Sequence, residues 1–150
     1  AELGFGATYL GLLSGLFMGG SALGGIVGGV LGDRIPGKYV IALGMAGTIL
    51  PLYFYIPAEG GYRLLFLAVA GFFNGMPHTI VVLSVQSLFP NRAAFASGVA
   101  LGFGFFSGSL GSYFLGLVAD NIGLASTLQG TAILPLSAAV VILLLPKQTE

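Results

Sequence analysis

Gly32-Asp33-Arg34-Ile35-Pro36-Gly37-Lys38 is the stretch on which the reading of this chain turns. It packs three charged residues into one short turn, while the whole sequence carries only five Lys and Arg and five Asp and Glu. On either side the chain runs apolar for about 20 residues, enough to cross a bilayer as an α-helix. A charged turn holding Pro and Gly between two such runs reads as a helix–loop–helix at a membrane surface. Pro36 suits the first turn of the second helix, where its missing N–H has no intrahelical partner to lose.

Composition extends that reading to the whole chain. Charged residues make up 7% and apolar ones 56% of the sequence, and mean hydropathy is +1.01. Soluble domains carry about a quarter charged residues, so this is an integral membrane protein with membrane lipid around it. Twenty-six glycines against seven prolines, with no Gly-X-Y period, fit closely packed transmembrane helices. The absence of Cys excludes disulfides and thiolate metal sites. A net charge of zero with scattered cations leaves no basic patch, so no nucleic acid is expected as a partner. No cofactor is implied. The first residues are already hydrophobic and no charged n-region precedes them, so the expectation is a piece of a longer protein without a signal peptide.

Five stretches are long and apolar enough to span: 8–31, 38–56, 63–88, 93–118 and 124–145. Transmembrane β-strands would show alternating segments of about ten residues; these runs are continuous and longer, so the fold class is all-α. With five spans the loops alternate sides. Arg34, Lys38, Arg92 and Lys147 fall on one side and Arg63 on the other. The positive-inside rule then puts the 32–38 and 89–92 loops and the C-terminus in the cytoplasm, and the N-terminus outside.

The first and fourth spans carry glycine ridges. Gly11, Gly15 and Gly19 repeat every four residues, and Gly20, Gly24, Gly28 and Gly32 form a second row. The fourth span carries two such pairs, Gly98 with Gly102 and Gly104 with Gly108. Such ridges let backbones approach closely, so Gly24, Gly28, Gly98, Gly102 and Gly108 are helix-packing candidates, and the two helices are candidate sliding surfaces. The fifth span, rich in Leu, Ile, Val and Ala, is expected at the lipid-facing periphery.

Polar residues deep in a span are functional candidates because they are costly there. Asn74 and His78, four apart on the third span, share one helical face, and Gln86 lies two turns further on; all three are candidates for lining a substrate cavity. Pro77 frees a carbonyl near residue 73, as a bending or cavity-lining helix requires. Histidine ordinarily titrates near neutral pH, which makes His78 a candidate for proton movement. No Asp or Glu lies in the middle of a span. A metalloprotease site needs more than this single His and absent Cys, and no nucleophile-elbow string accompanies Ser107, Ser109 or Ser112; an enzyme is not expected.

The chain is identified as resembling the major facilitator superfamily. That family's loop signature is a Gly, three residues, then Asp-Arg/Lys-x-Gly-Arg/Lys-Arg/Lys. Gly29-Val30-Leu31-Gly32-Asp33-Arg34 matches its first part, whereas Pro36 and Gly37 depart from the second and one positive charge is lost. Gly116-Leu117-Val118-Ala119-Asp120 is similar to the end of the eleventh helix in many members. Lys38-Tyr39-Val40-Ile41, Gln86-Ser87-Leu88-Phe89-Pro90, Ser97-Gly98 and Leu134-Pro135-Leu136 resemble the fosmidomycin-resistance efflux group.

The resemblance implies a twelve-helix transporter whose two six-helix halves rock about a central cavity. The five spans correspond to helices eight to twelve, part of the C-terminal half. Gly29, Asp33, Arg34 and Lys38 form a cytoplasmic latch, with the Asp33 carboxylate set against a helix N-terminus in the missing N-terminal half. The implied activity is efflux of a small-molecule substrate or drug, coupled to protons, at the plasma (inner) membrane. Alternatives of other kinds are an uptake carrier of the same fold for a small organic solute and a non-transport membrane scaffold.

Overall fold

The computed structural model describes residues 6–144, which form six helices and, among those residues, no strand. They are α1 (Ala7–Gly32), α2 (Gly37–Tyr55), α3 (Gly61–Leu88), α4 (Ala93–Ile122), α5 (Leu124–Gly130) and α6 (Ile133–Leu144). Five stretches are long and apolar enough to span a membrane, α5 and α6 together forming the last. Lys147 and the final residue of the fifth expected span lie outside the described residues.

Turn chemistry sets most helix ends. After α1, the Asp33 N–H donates to the Gly29 carbonyl at 3.1 Å and the Ile35 N–H to the Leu31 carbonyl at 2.9 Å. Pro36 is the N-cap of α2, one position earlier than the expected first turn. Gly60, at φ +57, leads into α3. Helix α4 runs beyond residue 118 to Ile122, taking Asp120 into its last turn. It stops where Gly123 adopts φ +86, which side chains resist, and the Gly123 N–H still closes on the Ala119 carbonyl at 2.9 Å.

The last span is not one continuous helix. Pro135 has no N–H for the Thr131 carbonyl, so the helical ladder cannot run on unbroken from α5. The chain therefore turns at Thr131 and Ala132, the Thr131 hydroxyl donating to the Leu128 carbonyl at 2.6 Å. Pro135 then sits in the first turn of α6, where the missing donor costs nothing.

Helix α3 is the centre of the bundle, with α1 on one flank and α2 on the other; α6 packs on α2, and α4 meets α3 and α5. Val40, Met76 and Ile80 form the buried core, with Leu31, Ile41, Phe72 and Phe73 against it. The α1–α3 seam is made of backbone. A methyl added at Gly20, Gly24 or Gly28 would strike the Ala68, Phe72 or Met76 carbonyl, and one added at Gly71 or Gly75 would strike the Phe17 or Ser21 carbonyl. Both residue series rise together, so α1 and α3 run parallel in fixed register. Glycine every fourth residue on both helices permits this approach, and dispersion with Cα–H···O contacts holds it. Between α2 and α3, a Cβ on Gly44 would lie 2.6 Å from Pro77 Cδ and 2.7 Å from the Phe73 carbonyl oxygen.

Large apolar side chains face outward all round; Phe105 is 76% exposed and Leu144 79%. In lipid such a surface is the solvated one. Buried hydroxyls are satisfied by the carbonyl four residues back along the chain, as a hydrocarbon surround demands. Thr48 donates to the Gly44 carbonyl at 2.8 Å and Thr127 to the Gly123 carbonyl at 2.9 Å.

Candidate functional site

The charged turn projects from the end of the bundle where α1 ends and α2 begins. Asp33 and Arg34 are exposed, and among the described residues neither side chain has a hydrogen-bond or ion-pair partner. Their backbone is nonetheless fixed by the helix-ending bonds of α1, including the Arg34 N–H to the Leu31 carbonyl at 2.9 Å. Lys38 Nζ lies 5.3 Å from the centroid of the Tyr39 ring, within cation–π range. Gly29 sits one turn back, with Thr79 Cγ2 3.6 Å from where its Cβ would be. The turn therefore offers a carboxylate and a guanidinium on a rigid frame.

His78 lines a groove of about 520 Å³ along the α1–α3 seam, together with Ser21, Gly25, Gly29 and Thr79. The Thr79 hydroxyl donates to the Gly25 carbonyl at 3.1 Å, tying the two helices beside the imidazole. Asn74, one turn earlier, is exposed and outside that groove. Gln86 is elsewhere: its Nε2 donates to Ser97 Oγ at 2.7 Å, and that hydroxyl donates to the Ala93 carbonyl at 3.0 Å. Gln86 thus joins the end of α3 to the start of α4. Pro77 is buried against Gly44 of α2, so the carbonyl it frees at Phe73 faces a helix and not a cavity.

The glycines fall into two classes. Gly24 and Gly28 lie in the α1–α3 seam, whereas an added Cβ at Gly98, Gly102 or Gly108 meets nothing within 4 Å. The two ridged helices α1 and α4 do not face each other; α1 uses its ridge on α3. Gly71, Gly75 and Thr79, spaced by four, were the signal in the sequence for that partner. Arg63 has a structural role as well: its Nε donates to the Ala58 carbonyl at 2.9 Å and its Nη2 to the Ile56 carbonyl at 3.3 Å. A cation placed there satisfies carbonyls at the end of α2 and favours the negative end of its dipole.

A bundle of spanning helices with a glycine seam and a charged helix–turn–helix signature is what the comparisons with known proteins match. The family model described as Major Facilitator Superfamily matches residues 1–150. The chain belongs to the major facilitator superfamily. Among curated relatives of this superfamily chain, the fosmidomycin resistance protein of Escherichia coli (strain K12) is 32% identical over 129 residues, 85% of this chain and 32% of the relative. An uncharacterised MFS-type transporter, YfnC, of Bacillus subtilis (strain 168) is 32% identical over 126 residues, 82% of this chain and 30% of that protein. A probable anion transporter 2, chloroplastic, of Oryza sativa subsp. japonica is 28% identical over 133 residues, 85% and 24% respectively. This superfamily chain spans about a quarter to a third of the length of these relatives. No solved structure matches it.

Proposed function

We propose that this chain is helices eight to twelve of a twelve-helix transporter, most of its C-terminal half, and that the whole protein exports a small molecule or drug by alternating access in exchange for protons. The observation that carries the reading is the 32% identity to a resistance protein across 85% of the chain. In this reading the N-terminus lies outside and the 33–36 and 89–92 turns face the cytoplasm of a plasma (inner) membrane, where Arg34, Lys38 and Arg92 obey the positive-inside rule. Asn74 and His78 are wall residues of the central cavity, and His78 is the candidate proton carrier on this chain. Gln86 holds α4 to α3 near the cytoplasmic mouth.

The latch works through charge at a helix end. A helix N-terminus carries about half a positive charge, and a carboxylate against it gains about 0.3–1 kcal/mol at an exposed site. That is strong enough to bias the closed state and weak enough to break in every cycle. The exposed, unpartnered Asp33 carboxylate on a fixed backbone supports this role, with its partner in the N-terminal half.

The test is Asp33→Asn in the intact protein, which removes the charge and keeps the shape. Export from cells falls while the amount of membrane-inserted protein stays the same; unchanged export at equal insertion sinks the latch. Substrate flux by the 150-residue piece alone, reconstituted in liposomes, sinks the reading of the chain as a part. The second reading is an uptake carrier of the same fold for a small organic solute; the likeness to a probable anion transporter supports only that carriers other than resistance proteins share this stretch. Flux measured in right-side-out and inverted vesicles separates the two directions.

A further inference from the structure

We propose that Ile80 of α3 is a positioning residue for the charged turn: its side chain props the end of α1 and the start of α2 together, and so sets where the Asp33 carboxylate meets its partner. The role rests on the latch reading of that turn. It starts from what the turn's own hydrogen bonds leave open. The Asp33 and Ile35 N–H groups close on the Gly29 and Leu31 carbonyls at 3.1 and 2.9 Å, which fixes the front of the turn to α1. The Tyr39 N–H closes on the Pro36 carbonyl at 2.9 Å, which fixes its back to α2. Neither set fixes α1 relative to α2, and these two helices touch each other far less than each touches α3. The angle of the turn is therefore set from outside, by α3.

One side chain of α3 reaches both ends. A methyl added at Gly32, the last residue of α1, would strike Ile80 Cδ1; one added at Gly37, the first residue of α2, would lie 2.7 Å from Ile80 Cγ2. The two glycines bracket the turn, and their lack of a Cβ lets the branched side chain sit against both. Ile80 is 6% exposed and shares the core with Val40 of α2, with Leu31 of α1 packed against it. A β-branched side chain in a helix keeps essentially one χ1 rotamer, so its two arms hold a fixed spread.

The prop is also anchored. Thr79 donates its hydroxyl to the Gly25 carbonyl at 3.1 Å, pinning this turn of α3 to the body of α1, and His78 lines the groove. Successive helical residues point about 100° apart. Three neighbours in sequence thus border the groove, grip α1 and carry the charged turn. A movement of α3 at the groove reaches Asp33 through Ile80, which itself touches no substrate.

A double-mutant cycle in the full-length transporter tests this. Asp33→Asn, Ile80→Ala and the pair are compared for export at equal membrane insertion. A carboxylate at an exposed helix end corresponds to about a two- to fivefold effect, and Ile80→Ala alone lowers export within that range. In the Asp33→Asn background it lowers export no further, because residues acting through one contact are not additive. Met76→Ala cuts the same core, but the Met76 backbone lies on Gly28 and not on the turn; it acts by the same factor in both backgrounds. A nitroxide on Ile35→Cys, in a parent otherwise free of cysteine, reports the turn directly. Its paramagnetic resonance line narrows with Ile80→Ala and not with Met76→Ala. Ile80→Val, which loses only the arm beneath Gly32, gives the same pattern at smaller size and replaces Ile80→Ala if that variant fails to insert. Losses that multiply across the cycle, or a nitroxide line that ignores residue 80 or answers equally to Met76→Ala, overturn the positioning role. Export unchanged by Asp33→Asn alone overturns the latch reading beneath it, and the nitroxide line then shows separately whether Ile80 props the turn.

Discussion

Replacing Gly24 by Ala adds a single methyl, yet the α1–α3 seam has no room for it. The new Cβ would overlap the Phe72 carbonyl and crowd the Phe72 Cα, and neither is a flexible side-chain end that can swing away. The helices must separate, and overpacking of this kind typically costs about 1–3 kcal/mol. Against it stands the helix preference for Ala, about 0.5–1 kcal/mol at an interior position. The net expectation is a loss centred on about 1 kcal/mol and reaching about 2.5 kcal/mol, a roughly fivefold fall in the folded-to-unfolded ratio at the centre of that range. Gly29→Ala, little more than one turn along the same helix, is the control. Its Cβ would rest 3.6 Å from Thr79 Cγ2, an ordinary contact, so only the helix gain of about 0.5–1 kcal/mol remains. The two variants should shift stability in opposite directions in denaturant titrations of the purified, detergent-solubilised transporter. Equal shifts, or a stabilised Gly24→Ala, would refute a seam made of touching backbones.

Other side chains make sharper single tests. Arg63→Ala leaves the Ala58 and Ile56 carbonyls without their donor and should lower stability by about 1–3 kcal/mol, charged hydrogen bonds being the stronger kind; Arg63→Lys should restore part of it in the same titration. Gln86→Leu breaks the bond to Ser97 and should cost about 1 kcal/mol, with faster hydrogen exchange at the start of α4 as the specific readout. His78→Ala, in the proteoliposomes of the intact transporter, should change substrate affinity or the pH profile of transport. If neither moves, His78 only packs.

How much of this was legible in the sequence depends on whether a feature is local. Pro36, Gly60 and Gly123 punctuate helices through their own backbone preferences, so the spans could be drawn from residue types alone. The four-residue spacing of Asn74 and His78 fixed a shared face for the same reason. What that face meets was not local information. His78 borders the α1 groove, Asn74 lies outside it and Gln86 reaches Ser97, three outcomes set by the tilt and register of neighbouring helices. The break at Thr131 was readable in principle, because Gly130 and Pro135 bracket it, but hydropathy averaged over a span-length stretch runs straight through the polar step at Gln129-Gly130-Thr131. Glycine ridges presented the opposite difficulty. Gly20, Gly24 and Gly28 announce a close neighbour without naming it, and the answer lay in the matching spacing of Gly71 and Gly75.

The backbone seam also bears on how the protein is made. Helices α1 and α3 are joined through α2, so the glycines of α1 enter the bilayer before the carbonyls that will face them have left the ribosome. During that interval α1 is held only by its own hydrogen bonds and by lipid, which suffices because a helix satisfies its backbone internally. Register between α1 and α3 is set once, when the α2–α3 hairpin arrives and the two rows of small residues slide into place. A substitution in either row therefore acts as a biogenesis defect as much as a stability defect. It leaves α1 in the bilayer without the neighbour its glycines are shaped for, so the amount of inserted protein is the quantity to measure beside stability.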